Sequence, residues 1–163
     1  MLNIGDPAPD FVGRTTQGRQ VSLKDYSGKY LVLFFYPKAF TAGCTIETKL
    51  FRDRYPEIRA LGGEVLGLSS DDFDTQCEFA EQYGVGFELV ADKEKKILAA
   101  YHINSSPLPF VSSRRVTYIV GPDGKIADII EHNLVVTKHV SDVVDFLKAH
   151  PNRTAELLQA QGT

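Results

Sequence analysis

The sequence predicts an α/β fold with a central mixed β-sheet flanked by helices. Three observations predict it. Residues 30–36, Tyr-Leu-Val-Leu-Phe-Phe-Tyr, are apolar almost without interruption. That is the pattern of a strand covered on both faces. Helical and strand-like segments then alternate along most of the chain, as in sheets built by helical crossovers. Near the C-terminus, Gly121-Pro122-Asp123-Gly124 joins two β-rich segments by a turn. That late pair is expected to be antiparallel and the earlier, helix-linked strands parallel.

The elements follow in order. Residues 6–10, with Pro7 and Pro9, are rigid and irregular because each Pro restricts its predecessor. Val21-Ser22-Leu23 is a short strand. The buried strand over 30–36 stops at Pro37, which has no N–H for a ladder. A helix is expected from Thr41 to Leu61, with Ile46, Leu50, Phe51, Ile58 and Leu61 near one face and Pro56 kinking or splitting it. Gly62-Gly63 stops it, and 64–68 form the next strand. Residues 69–72, Ser-Ser-Asp-Asp, offer N-caps for a helix through Tyr83, closed by Gly84. Residues 88–90 read as a strand and 94–101 as a short helix. Strands over 116–120 and 125–130 make the hairpin. Val140 to Ala149 is an amphipathic helix ended by Pro151, and 154–161 a short terminal helix. This order is compatible with a thioredoxin-like architecture.

Composition narrows the function. The 163 residues suit one domain, 1–163. Lys+Arg 18 against Asp+Glu 21 leaves a net charge of −3, which argues against general basicity toward nucleic acid or anionic membrane. No run is long and apolar enough to span a bilayer, and no basic-then-apolar leader is visible, so the expected location is cytoplasmic. The two cysteines, Cys44 and Cys77, are too few for a disulfide scaffold or a four-cysteine zinc site. His102, His132, His139 and His150 lack ligand-like spacing and read as surface or interface residues. No metal or cofactor is implied.

Two thiols suffice for redox chemistry. Cys44 follows the buried strand and sits near a helix start. There, free N–H groups and the positive end of the helix dipole favour the thiolate, which is the nucleophile. Its surroundings are Phe35-Tyr36-Pro37-Lys38-Ala39-Phe40-Thr41-Ala42-Gly43-Cys44-Thr45-Ile46-Glu47. This string holds Pro-x-x-x-Thr-x-x-Cys and resembles the active-site loop of the peroxiredoxins. Its wider form is similar to the bacterioferritin-comigratory, or peroxiredoxin Q, subfamily. The resemblance runs from residues 5–11 to the last long helix.

The resemblance implies a peroxidase. Cys44 would be the peroxidatic cysteine, oxidised to a sulfenic acid. Thr41 would hydrogen-bond peroxide and thiolate, and Pro37 would shape and shield the pocket. The backbone N–H groups of Gly43 and Cys44 would hold the peroxide. Arg115, in Arg115-Val116-Thr117-Tyr118, would stabilise the thiolate and polarise the O–O bond. Its neighbour Arg114 points to the opposite face of a strand. Glu47, one helical turn after Cys44, would orient Arg115. Leu108, Phe110 and Phe40 are expected to make an apolar rim. Hydrogen peroxide or small organic hydroperoxides are the implied substrates, thioredoxin or a similar dithiol protein the reductant, and a monomer the implied state.

Many members of the subfamily carry a resolving cysteine five residues after the peroxidatic one, but Lys49 stands there. Others place it on the helix after the second strand, near Ala80 here. Cys77 lies on that helix one turn earlier and is the candidate partner for an intramolecular disulfide. Cys77 also suits a buried helix face with Phe73, Ala80 and Gly84. A one-cysteine cycle with a structural Cys77 stays open, as does a non-enzymatic binding or holdase protein on the same fold.

Overall fold

The computed structural model describes residues 2–103, 115–132 and 135–152. Leu108, Phe110, Arg114 and the terminal helix expected over 154–161 lie outside the described residues. A short hairpin opens the chain: β1 (Val12–Arg14) pairs antiparallel with β2 (Gln20–Ser22), and a 3-10 turn over Leu23–Tyr26 follows. Then come β3 (Tyr30–Phe35), α1 (Ala42–Ala60), β4 (Gly63–Ser69), α2 (Phe73–Gln82), β5 (Glu88–Ala91) and α3 (Lys96–Ala100). The chain ends with β6 (Val116–Val120), β7 (Ile126–Glu131) and α4 (Thr137–Ala149). From β3 onward this is the order expected from the sequence. β1 and the 3-10 turn were not foreseen, since a three-residue segment centred on Gly13 has no pattern of its own.

The main sheet has the order β5-β4-β3-β6-β7. The helix-linked strands β3, β4 and β5 are parallel, and β6 runs antiparallel to both β3 and β7. The sheet is mixed and thioredoxin-like. Strand alternation divides the core in two. Leu31, Leu33 and Phe35 face one side, with Leu66, Leu68, Val116, Tyr118 and α3. Tyr30, Val32, Phe34 and Tyr36 face the other, with Cys44 and Phe51 of α1, Phe79 of α2 and the apolar stripe of α4. Gly67 makes one close approach possible. A Cβ there would come within 2.6 Å of the Phe34 ring, which stacks on Phe51 at 4.5 Å.

Helix α1 differs from expectation in two respects. Pro56 does not split it, and the helix runs unbroken to Ala60. Its packing on β4 and α4 holds it across the hydrogen bond that Pro56 cannot make. Its buried stripe is Cys44, Glu47, Thr48, Phe51 and Ile58, while Ile46 is exposed. Polar Glu47 and Thr48 occupy core positions, and this turns Ile46 outward.

Candidate active site

The site lies where β3 ends and α1 begins. Pro37 is half-buried just past β3, and Lys38 is exposed. Ala39 is buried, and its N–H donates to Oδ2 of Asp71 at 2.7 Å. The same oxygen accepts from the Ser69 hydroxyl at 2.6 Å. Asp71 therefore fastens the loop to the end of β4. The Ser-Ser-Asp-Asp string thus divides its work, because Asp72 is the N-cap of α2 and accepts from Thr75 N at 2.8 Å. Phe40 holds a left-handed φ of 66°, a strained conformation for a bulky residue. Its ring packs edge-on against Phe79 at 5.1 Å while staying partly exposed.

Thr41 is the N-cap residue, with extended dihedrals, so α1 begins at Ala42 and places Cys44 in its first turn. The N–H groups of that turn have no carbonyl within the helix to bond. The Thr41 hydroxyl donates to the Lys38 carbonyl at 2.7 Å. Its one proton is committed there, so toward a substrate the oxygen is an acceptor.

Cys44 is fully buried beneath this loop. The Nη2 of Arg115 lies 3.4 Å from its Sγ, and Nη1 lies 3.4 Å from Oε1 of Glu47. Topology explains the meeting. β6 is the antiparallel neighbour of β3, and Arg115 shares the face of Thr117 and Ile119, toward α1 and α4. Gly43 lets the guanidinium in: a Cβ there would stand 3.2 Å from Nη2. Burial pushes the Glu47 carboxyl up to about 8, with Arg115 opposing the shift. The structure thus brings together Cys44, Gly43, Glu47 and Arg115, with Pro37 and Thr41 on the loop that leads into α1.

One residue behind the site was missed by the sequence reading. His139, expected at the surface, is fully buried on α4. Its Nδ1 lies 2.8 Å from the Thr117 hydroxyl and 3.8 Å from Oε2 of Glu47. Spacings of four link His139 to Val143 and Leu147 on the buried stripe, and that periodicity was the available signal.

Cys77 has a different setting. It is half-buried, and its Sγ lies 4.0 Å from the Thr16 carbonyl oxygen, on the side of the N-terminal hairpin. Phe79 instead faces the core that contains Cys44. Two residues of helix rotate the direction by roughly 200°, so Cys77 points away from that core. It is not on the buried face expected with Phe73 and Gly84. That face is formed by Gln76 and Phe79, and Gly84 is exposed. Lys49, at the other resolving position, lies with its Nζ 5.5 Å from the centroid of the Tyr83 ring.

Known proteins resemble this chain over most of its length. The AhpC/TSA family profile matches residues 4–129. Peroxiredoxin Bcp of Escherichia coli K12 is 30% identical over 153 residues, covering 91% of this chain and 97% of its own. Peroxiredoxin Bcp of Bacillus subtilis is 33% identical over 152 residues, covering 90% and 96%. Among solved structures, a cysteine variant of Xylella fastidiosa PrxQ superposes with a TM-score of 0.86 at 28% identity, covering 92% and 98%. Xanthomonas campestris bacterioferritin comigratory protein, described for alkyl peroxide reduction, superposes at 0.83 with 27% identity, covering 92% and 98%. The Xanthomonas peroxiredoxin Q was solved with either of two cysteines replaced by serine. Those two lie farther apart in sequence than Cys44 and Cys77, by about one helical turn. The profile match and the Bcp relatives settle the ancestry: this chain belongs to the AhpC/TSA family of peroxiredoxins, alongside its Bcp and peroxiredoxin Q members.

Proposed function

We propose that the chain reduces hydrogen peroxide and small organic hydroperoxides at Cys44. The observation that carries this reading is the contact of Arg115 Nη2 with the buried Cys44 Sγ at 3.4 Å. A cation with a directed donor favours the thiolate, and the same fork of donors can hold a peroxide oxygen. The thiolate attacks one peroxide oxygen. An S–O bond forms and the O–O bond breaks. The departing hydroxide or alkoxide takes a proton and leaves as water or alcohol, and Cys44 is left as a sulfenic acid.

Each neighbour has a role in that step. The N–H groups of Gly43 and Cys44 donate to the bound peroxide. The Thr41 oxygen accepts the peroxide O–H, since its own proton goes to Lys38. Pro37 adds no competing donor and keeps one wall of the pocket dry. Glu47 orients Arg115.

The sulfenic acid is then reduced by a thiol, with loss of water and formation of a disulfide. We assign Cys77 as the intramolecular resolving thiol and thioredoxin, or a similar dithiol protein, as the final reductant. Because Cys77 points toward Thr16, resolution requires α2 to turn or unwind near it. The cycle suits a reducing compartment, and a monomer in the cytoplasm is the corresponding proposal. A one-cysteine cycle is the second reading, favoured by the placement of Cys77 away from the Cys44 core.

The test is peroxide consumption with thioredoxin recycling, run on wild type, Cys44→Ser and Cys77→Ser. Loss in Cys44→Ser with activity in wild type is expected. Equal consumption by both would remove Cys44 from the reaction and leave a binding protein as the better reading. Full turnover in Cys77→Ser would establish the one-cysteine cycle.

A further inference from the structure

His139 is a fully buried histidine that the reaction above does not use. Its surroundings fix its tautomer. Nε2 lies 2.9 Å from the His132 carbonyl oxygen, which can only accept, so Nε2 carries the proton. The His132 N–H reaches the same nitrogen at 3.3 Å, the longer of the two contacts. Nδ1 then presents its lone pair and accepts from the Thr117 hydroxyl at 2.8 Å.

Glu47 lies beside the same edge of the ring. Oε2 of Glu47 is buried without a hydrogen-bond partner among the described residues, and Nδ1 stands 3.8 Å from it. Oε1 faces Nη1 of Arg115, and Nη2 of the same guanidinium faces Cys44. A continuous chain therefore runs from His132 through His139 and Glu47 to Arg115 and the reacting sulfur.

We propose that His139 is a positioning residue for peroxide reduction: set behind Glu47 in one tautomer, it aims the carboxyl and thereby sets how much of the Arg115 guanidinium serves Cys44. An acceptor nitrogen beside Oε2, with no N–H to offer it, disfavours a carboxylate charge on that edge. It leaves Oε1 as the oxygen that meets Arg115, so Glu47 orients the guanidinium without fully claiming its charge. Burial holds the ring neutral, and the nearby Arg115 charge acts the same way. The titratable and charged groups facing this pair are Cys44 from α1, Arg115 just before β6, His132 just after β7, and Asp142 from α4. Asp142 Oδ2 lies 3.1 Å from Nε2 of His132. The inference rests on the peroxidase reading.

The test is a double-mutant cycle of His139→Gln and Glu47→Gln, with the rate of Cys44 oxidation measured against pH. The chain has no tryptophan, so the rate is read by competition with a haem peroxidase for limiting peroxide. With Glu47 present, His139→Gln is expected to slow oxidation about threefold to tenfold near neutral pH, the range for a small displacement of a positioned charge. It is also expected to move the alkaline limb of the profile to lower pH, because an amide donor lets Glu47 ionise sooner. In the Glu47→Gln background both effects should vanish. An equal slowing in both backgrounds, or an unshifted profile, overturns the proposal. Should His139→Gln fail to fold, Thr117→Val decides. It frees Nδ1 on a strand that favours valine, and an unchanged profile there overturns the proposal as well. Failure of the underlying reading is separate, since it requires Cys44→Ser to consume peroxide like the wild type.

Discussion

The guanidinium of Arg115 lies over Gly43, with Nη2 only 3.2 Å from the point that a Cβ on Gly43 would occupy. The same nitrogen is 3.4 Å from Sγ of Cys44. A bare backbone at position 43 is therefore what lets the cation reach the sulfur.

Gly43→Ala tests this relationship. Gly43 is helical, so alanine adds no backbone strain and favours the helix. The new methyl must move the end of Arg115 by a few tenths of an ångström. Small displacements of a positioned charge cost rate rather than stability. Peroxide reduction should fall about tenfold while the thermal midpoint stays within a few degrees of wild type. A variant with full activity would show that Arg115 reaches Cys44 by another path.

Glu47 and His139 should leave a mark on stability against pH. Burial pushes the Glu47 carboxyl from 4.5 up to about 8. Between those values the folded protein holds a proton that the unfolded chain has released, so stability falls as pH rises. Burial lowers His139 from 6.5 to about 4. There the unfolded chain binds a proton that the folded ring refuses, so stability falls as pH drops below 6.5. The two slopes oppose each other between 4.5 and 6.5, and above 6.5 only that of Glu47 remains. Urea titrations should show a loss of about 2 kcal/mol between pH 6.5 and 8. Glu47→Gln should flatten that limb. A flat wild-type curve would mean that Glu47 is already ionised.

Much of this site was legible in the sequence, for reasons tied to particular residues. Cys44, Glu47 and the loop from Pro37 lie on one continuous segment, and helix spacing alone puts Glu47 one turn after Cys44. Arg115 was reachable through the family resemblance, since alternation says that one of two adjacent arginines faces the site but not which. Asp71 and His139 were not legible. Each acts across the fold: Asp71 from the end of β4 on Ala39, and His139 from α4 on Glu47. Local pattern assigns both to duller positions, a helix start and a surface histidine. The outward turn of Ile46 has the same origin, since a buried carboxyl at Glu47 looks like a surface residue until its partner is placed.

Asp71→Ala should loosen the loop without touching the sulfur. Oδ2 takes both the Ala39 N–H and the Ser69 hydroxyl, and their loss is worth about 1–3 kcal/mol. The loop carries a strained Phe40, so its folded conformation has little reserve. Peroxide affinity should weaken more than the maximal rate falls, and cleavage of residues 37–41 by added protease should quicken. Unchanged cleavage would show that the packing of Phe40 on Phe79 holds the loop alone.

Cys77 should behave as a slow thiol until its surroundings change. Burial raises its pKa, and the neighbouring Asp74 adds to the rise. The thiolate is the nucleophile, so at neutral pH little of Cys77 is ready to attack. Disulfide formation after a single peroxide pulse should accelerate as pH rises. Asp74→Asn removes the charge that adds most to this rise and should quicken iodoacetamide labelling of Cys77, about twofold to threefold by the screening of an exposed charge. Labelling measured in Cys44→Ser isolates this thiol from the other. If Cys77 labels as fast as a free thiol and Asp74→Asn changes nothing, the slow step of resolution is the movement of α2 and not the protonation of Cys77.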